Sequence, residues 1–142
     1  MLEVGLLNRE LSALMARLGH MDEIIVCDAG FPIPEGVRTV DLCLARGEPG
    51  LLRVLEEIAK YFSVEKIILA DEMLAASPTM AEKVKAVFGS NVALGTLGHS
   101  ELKKRSAMVK GIVRTGEFTA FSNVLIVSGS GNRWYVEKKE QR

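Results

Sequence analysis

The sequence predicts an α/β domain built on a largely parallel sheet. Three observations lead there. Two short apolar runs, EIIVC at 23–27 and KIILA at 66–70, show no polar alternation and read as strands covered on both faces. Segments with apolar residues at helical spacing separate such runs, and strands that alternate with helices build parallel sheets. A chain of 142 residues, 48% hydrophobic, can bury one continuous core but is too short for two ordinary domains, so residues 1–142 are expected to form one domain.

Taken in order, Leu7, Leu11, Leu14, Met15 and Leu18 recur at helical spacing after Asn8, a capping residue, and Gly19 follows where a glycine stops a helix. EIIVC then ends at Asp28. In FPIPEG, residues 31–36, the prolines fix φ and lack an N–H, which makes this stretch a loop. VRTVDLCL, 37–44, is read as a short strand. From Gly50, LLRVLEEIAKYF carries apolar residues at 51, 52, 54, 55, 58, 61 and 62, a helix with one wide apolar face. KIILA closes on Asp71-Glu72, and Ser77-Pro78 opens a helix that runs to about Phe88, before Gly89. NVALGTL is a strand, HSELKKRSAM a short helix, and KGIVRTG and SNVLIVSG the final strands, with one antiparallel pair expected near the end. NRWYVEKKEQR is a charged tail that docks by Trp134, Tyr135 and Val136 or frays.

Charge narrows the function. The 18 Lys and Arg balance 18 Asp and Glu, which gives no pull toward nucleic acid or an anionic membrane and suits a small, neutral or weakly charged ligand. Cys27 and Cys43 lie in apolar segments without a second Cys or His at ligand spacing, so they are expected as buried free thiols rather than a zinc site. The start, MLEVGLLNRE, does not resemble a secretory signal, and no apolar run approaches the roughly 20 residues of a spanning helix, so a cytoplasmic protein is expected.

Ligands of parallel sheets bind outside the carboxyl ends of the strands, where Asp28, Asp71 and Glu72 should lie. Asp28 could accept hydrogen bonds from substrate hydroxyls, or close an Asx turn over Gly30. Asp71-Glu72 is more simply a solvated strand end. His20 and His99, the two histidines of the chain, suit a general acid or base; the alternative is a helix-end residue bonded to backbone or solvent. Simple topology sets His20, ahead of the first strand, at the edge opposite Asp28, unless the helix end folds over or a neighbouring subunit brings in another surface. GSGN at 129–132 lacks the GK[ST] of a phosphate loop and reads as a tight turn, and the G-x-S-x-G, HExxH and G-x-G-x-x-G signatures are absent.

Three segments carry a more specific signal: LSALMARLGHMDEIIVCDAGFPIP at 11–34, IILADEM at 67–73, and GHSELKKRSAMVKGIVRTGEFTAFSNVLIVSG at 98–129. In order and spacing they resemble the D-ribose pyranase and L-fucose mutarotase family, the RbsD/FucU proteins. The resemblance implies a three-layer α/β/α fold and a sugar isomerase that interconverts pyranose and furanose forms and anomers of a free monosaccharide, D-ribose before L-fucose. A non-catalytic sugar-binding or transport-accessory protein is the competing reading. It implies His20 as proton donor, with Asp28 and His99 contacting the sugar. The family's Tyr-x-Asn motif maps to Phe121-Ser122-Asn123, where phenylalanine keeps a stacking surface but lacks the phenolic donor and acceptor. It implies no metal or cofactor, no nucleic-acid or membrane partner, and a homo-oligomeric ring whose sugar sites lie at subunit contacts.

Overall fold

The computed structural model describes residues 1–138; the last four residues of the expected charged tail, and of the expected 1–142 domain, lie outside the described part. The elements run α1 (Arg9–Ala16), β1 (Glu23–Cys27), β2 (Thr39–Asp41), α2 (Leu51–Tyr61), β3 (Val64–Ala70), α3 (Asp71–Ala76), α4 (Pro78–Phe88), β4 (Ala93–Leu97), α5 (His99–Arg105), β5 (Gly111–Arg114) and β6 (Val124–Ser128). They build one six-stranded sheet in the order β2-β5-β1-β6-β3-β4. Strands β1 to β5 share one direction, so the sheet is mostly parallel, as the sequence predicts.

The antiparallel element is placed differently from expectation. Rather than forming one pair near the end of the chain, β6 lies in the middle of the sheet and runs antiparallel to both β1 and β3. The link from Arg114 to Val124 falls short of the roughly dozen residues a parallel crossover takes, so the chain returns in the opposite sense.

Four of the five residues of β1 and all five of β6 are buried. Successive strand residues face opposite sides, so helices must cover both faces, which gives the three layers. Ile24, Ile25, Leu125 and Ile126 are wholly inaccessible, and each contributes about 1.5–3 kcal/mol relative to exposure.

Helix ends follow local chemistry, with corrections. Asn8 Oδ1 accepts the Leu11 N–H at 3.0 Å, so α1 begins at Arg9 and Leu7 stays outside it, 55% exposed. Pro78 opens α4, but the Ser77 hydroxyl donates to Ala120 O at 2.9 Å instead of capping the helix. Gly89, at φ +75°, ends α4. The strand expected over 37–44 shrinks to Thr39–Asp41, because Asp41 Oδ1 accepts the Cys43 N–H at 3.0 Å and turns the chain. Cys27 is buried; Cys43, on that turn, is only half-buried. Asp71 and Glu72, read as a strand end, form the first turn of the short α3. GSGN does turn, with Gly131 at φ +82°, and Trp134, Tyr135 and Val136 stay exposed. Among the described residues, no helix is long and apolar enough to cross a membrane.

Candidate functional site

The direction of β6 assembles the site. Because it runs against its neighbours, its start lies at the edge where β1 and β4 end, with Val124 opposite Val26. Asp28 after β1, His99 after β4, and Phe121, Ser122 and Asn123 before β6 therefore meet at the carboxyl edge.

Asn123, 1% exposed, accepts the Asp28 N–H through Oδ1 at 2.9 Å. Its own N–H donates to Phe121 O at 2.9 Å, a tight turn around Ser122 that Phe121 enters with a left-handed φ of +59°. The Phe121 ring meets His99 edge-on, with centroids 5.1 Å apart at 83°, and Phe31 meets it from another side at 6.4 Å and 81°. His99 is seated by Glu72, whose Oε2 accepts the His99 N–H at 2.7 Å at the start of α5.

Among the described residues, three buried side-chain polar atoms have no hydrogen-bond partner: His99 Nδ1, Ser122 Oγ and Asn123 Nδ2. An unsatisfied buried group costs about 1–3 kcal/mol, so three such atoms on neighbouring segments are a feature that the chain's own bonding does not explain. Asp28 adds a carboxylate to the cluster. Burial pushes its carboxyl above the usual range, while the Gly30 N–H and the Asn123 side chain pull the other way. Its Oδ1 does close the Asx turn, accepting the Gly30 N–H at 3.1 Å, so Asp28 shapes the loop and also faces an adjoining cavity of about 420 Å³.

That cavity is also lined by Arg114, Glu117 and Thr119, which sequence reasoning missed. Arg114 is committed: Nε donates to Ala29 O at 3.1 Å, and Nη1 to both oxygens of Asp41 at 3.1 and 3.2 Å. Burial would raise the Glu117 carboxyl, but hydrogen bonds from the Leu51 N–H, the Thr119 hydroxyl and N–H and the Phe118 N–H outweigh it and hold the group below its ordinary range. Glu117 thereby caps α2, whose own cap position is a glycine. The partners of Glu117 lie up to 66 residues away, so no local pattern signals it. Glu72 and Phe31 lay in segments already singled out, but as a strand end and a loop.

His20 is not brought into this group. It lies at the amino edge of the sheet, half-exposed, with Nε2 3.0 Å from Glu65 Oε1. Five-residue β1, at about 3.3 Å per residue, separates the two edges by on the order of 15 Å. The topological expectation for His20 holds. Among the described residues, no group of three or more His, Cys, Asp or Glu is arranged to hold a metal ion.

An α/β protein with a cavity and a cluster of buried polar side chains at the carboxyl edge of its sheet is the class these features define. A family model, the RbsD / FucU transport protein family, matches residues 1–130, and the chain belongs to that family. The D-ribose pyranase of Thermotoga maritima is 47% identical over 132 residues, covering 91% of this chain and 98% of the relative. Among solved structures, Bacillus subtilis RbsD complexed with D-ribose superposes with a TM-score of 0.87 at 36% identity, covering 91% of this chain and 98% of that one. The fucose mutarotase of Streptococcus pneumoniae in complex with L-fucose shares the fold, with a TM-score of 0.68 at 18% identity over 86% of this chain and 92% of that one.

Proposed function

We propose that the chain is a single-domain sugar isomerase of the D-ribose pyranase type, which interconverts the pyranose and furanose forms and the anomers of free D-ribose by opening the ring. The observation that carries this reading is the cluster of unpartnered buried atoms on His99, Ser122 and Asn123 beside the Asp28 carboxylate. An anionic ligand would want a cation there, and Arg114 is already bonded to Asp41 and Ala29. A neutral polyol suits the set: its hydroxyls can donate to Asp28 and accept from the Asn123 amide, while Phe31 and Phe121 offer apolar surface. The pyranase relative supports ribose as substrate; the fucose mutarotase likeness supports the fold alone.

Ring opening breaks the C1–O5 bond, protonates O5 and removes the proton of the anomeric hydroxyl, leaving the open-chain aldehyde. Closure through another hydroxyl, or through O5 on the other face, gives the other forms with no net change in atoms or electrons. His20 donates to O5 as the bond breaks, and a second group or water takes the anomeric proton. Asp28, His99, Phe121, Ser122 and Asn123 hold the sugar and reject epimers that leave a buried partner unbonded.

With the two edges on the order of 15 Å apart, one chain cannot present His20 to its own pocket. The proposal therefore includes a homo-oligomer in which the amino edge of one copy covers the carboxyl edge of the next, acting in the cytoplasm on a free sugar without nucleic-acid or membrane partners. NMR saturation transfer between ribose forms, with L-fucose anomers in parallel, tests it. Faster ribose exchange is expected. Exchange of fucose alone would reassign the substrate, and acceleration of neither would favour a non-catalytic sugar-binding protein. A fully active monomer on sedimentation would overturn the shared site.

A further inference from the structure

We propose that Glu65 is a positioning residue for His20, aimed at it by a bulge in β3; the inference rests on His20 being the proton donor. In the pairing of β3 with β6, Val64 lies opposite Ser128 and Lys66 opposite Val127, so one step along β6 matches two along β3 and Glu65 is the extra residue. A bulge of this kind re-aims a side chain that a regular ladder would hold in register. The chain after β6 fastens the bulge. The Gly129 N–H donates to Ser63 O at 2.9 Å and the Gly131 N–H to Ser63 Oγ at 2.9 Å. A Cβ on Gly129 would stand 2.6 Å from Ser63 Oγ and 3.3 Å from Glu65 N, so a side chain here would push the Ser63 hydroxyl off the Gly131 N–H.

His20 is delivered from the other side of the same strand end. Met21 takes a left-handed φ of +72°, which a non-glycine residue keeps only where its surroundings impose it. Here they do: the Met21 N–H donates to Ser128 O at 2.9 Å, the Ser128 N–H to Asp22 O at 2.8 Å, and the Gly19 N–H to Asp22 Oδ2 at 2.8 Å. The end of β6 thus anchors both approaches, and the two side chains meet across it at 3.0 Å.

The contact commits Nε2, so Nδ1 is the nitrogen left for a substrate. A carboxylate acceptor holds the ring in one orientation whether the imidazole is neutral or protonated. With the side chains 50% and 43% exposed, water screens the charge attraction, and the pair adds little to folding. Its effect falls on proton-transfer geometry, which a static contact elsewhere would not reproduce.

The experiment measures D-ribose ring exchange by NMR with the full chain. Glu65→Ala should lower kcat about tenfold with KM within about twofold, and Glu65→Gln, whose amide oxygen accepts the same hydrogen bond, should restore most of the rate. In a His20→Ala background, Glu65→Ala should change nothing further, and thermal melting should match the parent chain throughout. Wild-type kcat in Glu65→Ala, with His20→Ala inactive, would overturn the positioning role alone. Wild-type exchange in His20→Ala would overturn the role of His20 and that of Glu65 with it. A loss in Glu65→Ala that comes with a lowered melting temperature and is not rescued by glutamine would make Glu65 a structural residue and overturn the inference.

Discussion

The two edges of the sheet treat polar side chains in opposite ways. At the carboxyl edge, Asn123 and Ser122 are buried, and atoms on both, together with His99 Nδ1, lack partners. At the amino edge, His20 is half-exposed and already bonded to Glu65. A buried, unsatisfied group gains most from a ligand and also underpins the fold around it; an exposed, satisfied one contributes little to stability and stays free to act. On the proposed reading, recognition sits at one edge and proton transfer at the other.

His20→Ala tests the difference most severely. Ribose exchange should fall by roughly 10²–10⁴-fold, the range of positioned acid–base catalysis, with sugar affinity and urea denaturation nearly unchanged. Asn123→Ala should do the reverse in kind. The half-buried Asp28 N–H loses its acceptor, stability drops by about 1–3 kcal/mol in urea titration, and ribose binding weakens in calorimetry. If His20→Ala proved unstable or Asn123→Ala fully stable, the contrast between the edges would collapse.

Two smaller effects sharpen it. Glu117→Gln should cost about 1–2 kcal/mol, since both carboxylate oxygens accept hydrogen bonds and the amide offers one acceptor, leaving either the Leu51 N–H or the Phe118 and Thr119 donors unpaired. The folded Glu117 carboxyl lies below its ordinary 4.5, so its contribution is full above that pH and is lost as pH falls through the lower folded value. Acid denaturation of the variant should be correspondingly flatter in that window. Asp28 has the opposite sign. Its folded carboxyl lies above 3.8, so between that pH and the folded value the folded state holds more protons and stability declines as pH rises. Asp28→Asn should remove that slope. Ribose hydroxyls that donate to the carboxylate favour its charged form, so affinity should climb over the same window.

Local pattern made most of the architecture legible: unbroken apolar runs became β1 and β3, and Asn8, Pro78 and Gly89 mark helix ends where their chemistry demands. Asp28 fell at the carboxyl edge because a strand length can be counted. The position of β6 could not be read, since no residue of VLIVS states which strands it joins. Glu65 and Glu117 look like ordinary solvated glutamates; their roles come from partners 45 and 66 positions away, brought close only by the completed sheet. Ser77 shows the converse failure, a capping residue drawn off to Ala120.

The central place of β6 also sets an order of events in time. Without it, β2-β5-β1 and β3-β4 are two pieces of sheet with no ladder between them. Both pieces wait for β6, which follows the other five described strands in chain order, and until residues 124–128 emerge the growing chain carries unpaired apolar edges on β1 and β3. Asn123 stands at the head of that strand, so the pocket comes into existence in the step that joins the two halves, and a partly made chain has neither.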